Sequence, residues 1–152
     1  MEESAVVTDF LKAYKDTFHL KQTDAASYSP LVLAYMGDAV YELMIRTMVV
    51  KRRNMQVNKM HRKSASLVKA ETQARLIKLL ETELTEEELA VFKRGRNAKS
   101  ATMAKHATMI DYRMATGFEA LIGYLFLTER FVRMVELTGM GLDKLGEFGA
   151  DE

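Results

Sequence analysis

The fold of this chain is decided by residues 33–42, which have the sequence LAYMGDAVYE. A glycine, Gly37, and a carboxylate, Asp38, stand in the middle of this otherwise apolar run. Glycine in a helix interior costs about 1 kcal/mol relative to alanine. A carboxylate on a mostly buried helix is unfavourable unless it is paired or binds a cation. Two such residues side by side indicate a functional site, although an isolated helical aspartate more often faces solvent or pairs with an arginine.

The spacing of apolar residues around this segment predicts an all-α fold. Apolar residues recur three and four positions apart, and Pro30 is the only proline. Ser29 before Pro30 suits a helix N-cap, and Thr85 with Glu88 forms a capping-box pattern. The predicted helices are 4–14, 30–50, one from an Asn54 cap to about 69 or 80, 86–94, 110–127, and one from about 128 to before Gly139. Residues 94–109 are predicted to be a loop with at most short helical turns.

Length and composition favour a single intracellular domain. The 152 residues suit one domain, 1–152, with its core at about 29–138 and a flexible C-terminal tail. There is no cysteine, which excludes disulfides, thiolate metal sites and a cysteine nucleophile. The acidic start MEES differs from a signal peptide, and no apolar run approaches the roughly 18 residues of a membrane span. We expect a cytoplasmic protein with no membrane partner.

Charge is distributed unevenly along the chain. Residues 43–109 carry 15 Lys and Arg against 6 Asp and Glu, a net charge of +9, whereas the remainder carries 7 against 15, a net charge of −8. A basic middle segment is typical of proteins that bind a polyanion, above all nucleic acid. A solvated helical surface is the alternative interpretation.

A second carboxylate interrupts an apolar helix at residues 116–125, TGFEALIGYL. Glu119 lies among apolar residues here, and Gly117 and Gly123 would let another helix approach closely. Together with Asp38, this motif predicts a buried carboxylate on each of two apolar helices. A divalent cation between them would neutralise both, and Mg²⁺ prefers such hard oxygen ligands.

Between the two acidic motifs lies a basic one, residues 92–100, FKRGRNAKS. Its four cations, amide and hydroxyl suit contacts with phosphate and ribose, and Gly95 would let the backbone approach a ligand. Helix C-capping by basic residues explains two of the four cations equally well. The candidate RNA-binding residues are Lys93, Arg94, Arg96, Asn97, Lys99 and Lys105, with residues 51–53 behind them.

These three motifs, in this order, resemble the catalytic domain of the ribonuclease III family, over about residues 29–127. The resemblance is closer to its short Mini-III branch, which lacks a separate double-stranded-RNA-binding domain. Ribonuclease III sequences typically carry E-x-x-E-F-L-G-D-A in the first motif and D-x-x-E in the second. Asp38 and Glu119 match, whereas Leu31, Ala34 and Thr116 occupy the positions of the other three acids. Mini-III sequences share this reduced set.

The resemblance implies an all-α homodimer that cleaves both strands of double-stranded RNA and leaves 5′-phosphate and 3′-hydroxyl ends. Asp38 and Glu119 would be catalytic and would hold Mg²⁺, or Mn²⁺ in its place, with Thr116 acting through a water. Glu42 would either support the metal site or, as we prefer, pair with a cation such as Arg46.

The implied substrate is the precursor of large-subunit (23S) ribosomal RNA, with a ribosomal protein as a candidate partner that presents it. The missing acids support an alternative, a non-catalytic module that binds structured RNA or the ribosome. A helical scaffold for an acidic protein is a third hypothesis.

Overall fold

The computed structural model describes residues 2–52, 54–99 and 108–148. Within these ranges the regular secondary structure is helical. The seven α-helices in these ranges are α1 (Glu2–Thr17), α2 (Pro30–Arg52), α3 (Val57–Val68), α4 (Ala70–Leu80), α5 (Glu86–Asn97), α6 (Met109–Leu127) and α7 (Phe131–Lys144). Short 3-10 turns lie at Ala25–Ser27 and Glu81–Glu83. The described ranges contain no strand, which confirms the all-α prediction.

The core is built around α6, which packs against α2, α4, α5 and α7. Its buried face runs from Met114 to Leu125, and Phe118 makes an edge-to-face contact with the buried ring of Tyr41 from α2, with 5.1 Å between ring centroids. The helix is apolar around most of its circumference because neighbours cover it on several sides. None of the described helices combines the length and apolar character that a bilayer crossing requires.

Local sequence signals explain several helix starts. The Ser29 side chain accepts a hydrogen bond from the Val32 amide at 3.2 Å, as an N-cap does. The Thr85 capping box also forms: its hydroxyl oxygen accepts from the Glu88 amide at 3.1 Å, and the Glu88 carboxylate accepts from the Thr85 amide at 2.9 Å. The Glu88 carboxylate additionally receives two hydrogen bonds of 2.8 Å from Arg133 in α7.

Two helix boundaries that were predicted from a particular capping or terminating residue are wrong. Asn54 does not cap the third helix, because α3 begins at Val57 with Gln56 at its N-cap position. The last helix does not end before Gly139 but continues through Gly141 to Lys144. A Cβ added to Gly141 would lie 2.6 Å from the Leu76 side chain, so glycine serves close packing of α7 on α4 and does not terminate the helix. The end of the predicted flexible tail, residues 149–152, lies outside the described residues.

Candidate active site

The two acidic motifs meet where α2 crosses α6, and glycine makes this crossing unusually close. A Cβ on Gly37 would overlap the backbone carbonyl oxygen of Glu119, and a Cβ on Gly123 would overlap that of Leu33. The prediction that Gly123 allows another helix to approach is therefore confirmed. Gly37 has the same structural purpose, because its missing side chain lets α2 rest on the backbone of α6.

This crossing places the Asp38 carboxylate close enough to that of Glu119 for the two groups to interact. The pKa of Glu119 is raised to about 8, first because the side chain is desolvated by burial, then because the negative charge of Asp38 and a hydrogen bond shared with it favour the protonated form. Asp38 itself is exposed, which corrects the expectation of a buried carboxylate on each helix. Gly37 takes the buried position facing α6, and Asp38, the next residue around the helix, lies at the rim of the contact.

A third side chain at this place was missed by the sequence analysis. Gln73 of α4 is 1% exposed, and its amide nitrogen is 3.4 Å from Glu119 Oε2 and 2.9 Å from the Val68 carbonyl oxygen. The sequence pattern nevertheless marks Gln73 as unusual, because this polar residue falls on the apolar face of α4, on the same side as Leu76, Ile77 and Leu80. A polar residue in such a stripe requires a hydrogen-bonding partner.

Two other predicted residues lie beside the pair. Thr116 is buried one turn before Glu119, and its hydroxyl donates to the Tyr112 carbonyl oxygen at 2.9 Å. Glu42 accepts a hydrogen bond from Arg46 at 3.1 Å. The preferred interpretation of Glu42 as an ion-pair partner is therefore confirmed.

The family's remaining acids have no counterpart in this structure. Ala34 packs in a small apolar cluster with Leu33, Val91 and Ala120, where a carboxylate would be buried among hydrocarbon. Within the described ranges, no group of three or more His, Cys, Asp or Glu side chains is arranged to hold a metal ion. The acidic centre consists of two carboxylates.

The basic motif is more helical than predicted. Residues 94–97 form the last turn of α5, not a loop, because the Thr85 capping box starts this helix and its apolar face continues to Gly95. Gly95 does not approach a ligand: it is buried against α6, where an added Cβ would lie 2.9 Å from the Gly117 Cα. Arg96 is half-buried, with its guanidinium 5.6 Å from the centre of the Phe92 ring.

The other basic candidates divide into two groups. Lys93, Arg94 and Asn97 are exposed in the last two turns of α5, and Lys99 is exposed just after the helix ends. Lys105 lies outside the described residues. The structure thus brings Asp38 and Glu119 together, and it leaves Lys93, Arg94 and Lys99 as exposed cations near the end of α5.

Comparison with known proteins defines the class first. Residues 31–130 match the family model of the Ribonuclease III domain. The chain is also similar to a Fusobacterium nucleatum protein of known crystal structure, with a TM-score of 0.72 and 29% identity over 80% of this chain and 96% of that one.

Relatives then define the branch. A Mini-ribonuclease 3 from Clostridium tetani is 48% identical over 85% of this chain and 86% of its own length. Another, from Thermoanaerobacter sp., is 43% identical over 88% and 94%. The chain therefore belongs to the ribonuclease III family, and within it to the Mini-ribonuclease 3 group. It is an endoribonuclease by family.

Proposed function

We propose that this chain is a divalent-metal-dependent endonuclease of double-stranded RNA whose catalytic residues are Asp38 and Glu119. The observation that carries the proposal is the contact of these two carboxylates across the α2–α6 crossing, with the pKa of Glu119 raised to about 8. A partly buried carboxylate beside a second one is unfavourable without a positive partner, and such pairs concentrate at functional sites.

The donor set fits Mg²⁺. Among the described residues, neither carboxylate forms an ion pair with a lysine or arginine, so a cation is the missing complement. Mg²⁺ is commonly held by one or two carboxylates and keeps several waters, which suits a centre of two acids. Mn²⁺ accepts the same oxygen ligands and is the expected substitute.

Each residue has a distinct role in this proposal. Asp38 and Glu119 would hold the cation, which when bound lowers the pKa of water and offsets charge on the phosphate. The Thr116 hydroxyl donates its proton in a hydrogen bond to the Tyr112 carbonyl oxygen, so its lone pairs are free to accept a hydrogen bond from a nearby water. Hydrolysis of the phosphodiester would leave 5′-phosphate and 3′-hydroxyl ends.

RNA binding is assigned to the basic surface at the end of α5. Lys93, Arg94, Asn97 and Lys99 are exposed there, and their donors suit phosphate oxygens. Arg96 is held over Phe92 and would present a fixed guanidinium; Lys105 completes the candidate set. Contacts to the backbone and 2′-hydroxyls recognise A-form RNA by shape and weaken steeply with salt.

We further propose that the enzyme acts as a homodimer through the outer face of α2. Val32, Tyr35, Leu43 and Val50 repeat along this face at helical spacing, and Tyr35 is 82% and Leu43 65% exposed. Apolar stripes of this length on a helix are typical of protein interfaces. Leu43→Glu should convert a dimer into a monomer in sedimentation velocity, and an unchanged sedimentation coefficient would assign the interface elsewhere.

The biological substrate we propose is the precursor of 23S ribosomal RNA, cut in the cytoplasm, with a ribosomal protein as a candidate for presenting the RNA. The similarity to Mini-ribonuclease 3 proteins supports this.

The function is tested with purified protein and end-labelled duplex RNA, incubated with Mg²⁺ or with EDTA. Two defined cleavage products that form only with Mg²⁺ are expected. A duplex that is retarded on a native gel but stays intact under both conditions would instead support a non-catalytic RNA-binding module. The same RNA as a single strand is the control and should remain uncut.

A further inference from the structure

The side chain of Gln73 buries an amide group at a position in the core where an apolar side chain would pack as well. It is 1% exposed and lies on the apolar face of α4, beside Leu76, Ile77 and Leu80. Burying an amide is unfavourable unless its hydrogen-bonding groups find partners. The purpose of Gln73 therefore depends on what its amide group contacts.

The orientation of this amide is determined by its neighbours. The nitrogen donates to the Val68 carbonyl oxygen at 2.9 Å, and this oxygen can only accept. The same nitrogen lies 3.4 Å from Glu119 Oε2. Turning the amide by 180° would place its oxygen against both acceptors, so the side chain is set to offer a donor to Glu119.

The amide oxygen of Gln73 is buried and has no hydrogen-bond partner among the described residues. An unpaired buried carbonyl is unfavourable, and an apolar side chain of similar length would avoid it. A local disadvantage of this kind is typical of a residue that serves a site.

We propose that Gln73 is a positioning residue, which anchors one oxygen of Glu119 so that the carboxylate faces Asp38 in the arrangement that receives a divalent cation. This inference rests on the proposed metal-dependent function. A donor that contacts a ligating carboxylate fixes its orientation, and loss of such a partner typically weakens metal affinity about 10- to 100-fold.

The test is Gln73→Met, which keeps the length of the side chain and removes its hydrogen bonds. Mn²⁺ binding to the RNA-free protein is measured by electron paramagnetic resonance of the free ion. We expect the dissociation constant for Mn²⁺ to rise about tenfold, while the midpoint of urea unfolding stays the same or rises. At saturating RNA the cleavage rate should fall with KM unchanged, and excess Mn²⁺ should restore it.

Thr72→Val is the matched control, since Thr72 is the buried neighbour of Gln73 and its hydroxyl donates to the Ser66 carbonyl oxygen at 2.6 Å, away from the acidic pair. It should lose stability and keep its affinity for Mn²⁺. If Gln73→Met does not fold, Gln73→Asn replaces it, because the shorter amide cannot reach both acceptors.

The reference variant is Asp38→Asn. If it loses Mn²⁺ binding while the Gln73 variant binds like the wild type, the role of Gln73 is refuted and the metal site stands. If Asp38→Asn also binds Mn²⁺ like the wild type, the metal site itself is refuted.

Discussion

Where α2 crosses α6 the two backbones touch, whereas at the end of α5 long cationic side chains extend into solvent. The first contact is made by Gly37 and Gly123, whose positions have no space for a Cβ. The basic surface at the end of α5 is formed by exposed residues such as Lys93 and Arg94. Backbone packing therefore determines the position of the carboxylates that we propose to be catalytic, whereas the cations depend on flexible side chains. We therefore expect a single substitution at the crossing to change stability and activity strongly, and a single substitution on the basic surface to change RNA affinity only modestly.

Gly37→Ala should show the largest effect on stability. Its Cβ would overlap the Glu119 carbonyl oxygen, so α2 and α6 must separate. We expect the free energy of unfolding to fall by about 3 kcal/mol, measured by urea denaturation, and cleavage activity to fall with it. Gly139→Ala is the matched helical control, because its Cβ would meet Phe148 only at 3.9 Å. It should gain roughly 0.5 kcal/mol from helix propensity. Equal effects in the two variants would contradict close backbone contact at the crossing.

Glu88→Gln tests a second closely packed contact, the ion pair between the buried Glu88 carboxylate and Arg133. The Glu88 side chain is 4% exposed and paired with Arg133, and we expect the substitution to lower the free energy of unfolding by about 2 kcal/mol at pH 7. Glu87→Gln, on the exposed pair with Arg130, should cost less than about 1 kcal/mol.

The effect of Glu88→Gln should also depend on pH. In the folded state the pKa of Glu88 is lowered from its ordinary 4.5, chiefly by the hydrogen bond from Arg133. The stabilisation by this carboxylate is therefore fully present above pH 4.5 and is lost as the pH falls through the lowered, folded-state pKa. The difference between wild type and variant should shrink in acid. A difference that stays constant with pH would show that the carboxylate charge contributes nothing.

Arg96→Ala should show the smallest effect. Loss of one phosphate contact should raise the dissociation constant for duplex RNA about threefold and reduce the slope of its salt dependence by about 1. Fluorescence anisotropy over a series of salt concentrations measures both quantities. Lys12→Ala, which removes an exposed cation paired with Asp16 in α1, should leave the slope unchanged. If the slope of Arg96→Ala matches that of wild type, Arg96 makes no phosphate contact.

The sequence predicted the parts of the fold that depend on local signals. The Ser29 N-cap, the Thr85 capping box and the apolar character of α2 and α6 are all readable within a few residues of the chain. Asp38 and Glu119 were recognisable because each interrupts an apolar helix. Their side chains were candidates before any geometry was known.

Features that depend on tertiary contacts could not be read in the same way. Which of Gly37 and Asp38 faces α6 depends on how the helices cross, so Asp38 was expected to be buried. Gly141 resembled a helix terminator because the Leu76 side chain that fills its place is distant in sequence. Gln73 gave a visible signal, a polar residue in an apolar stripe, but its partner Glu119 lies 46 residues away.

The central claim is that Asp38 and Glu119 act together as the catalytic centre, and it is tested most directly by the single-turnover rate of duplex RNA cleavage in Asp38→Asn and Glu42→Gln. These two carboxylates lie one turn apart on α2, but only Asp38 contacts Glu119, whereas Glu42 pairs with Arg46. With Mg²⁺ present, we expect Asp38→Asn to lose at least about a thousandfold in rate while still folding and binding RNA, and Glu42→Gln to cleave within about threefold of wild type. Cleavage by Asp38→Asn at the wild-type rate would contradict the claim.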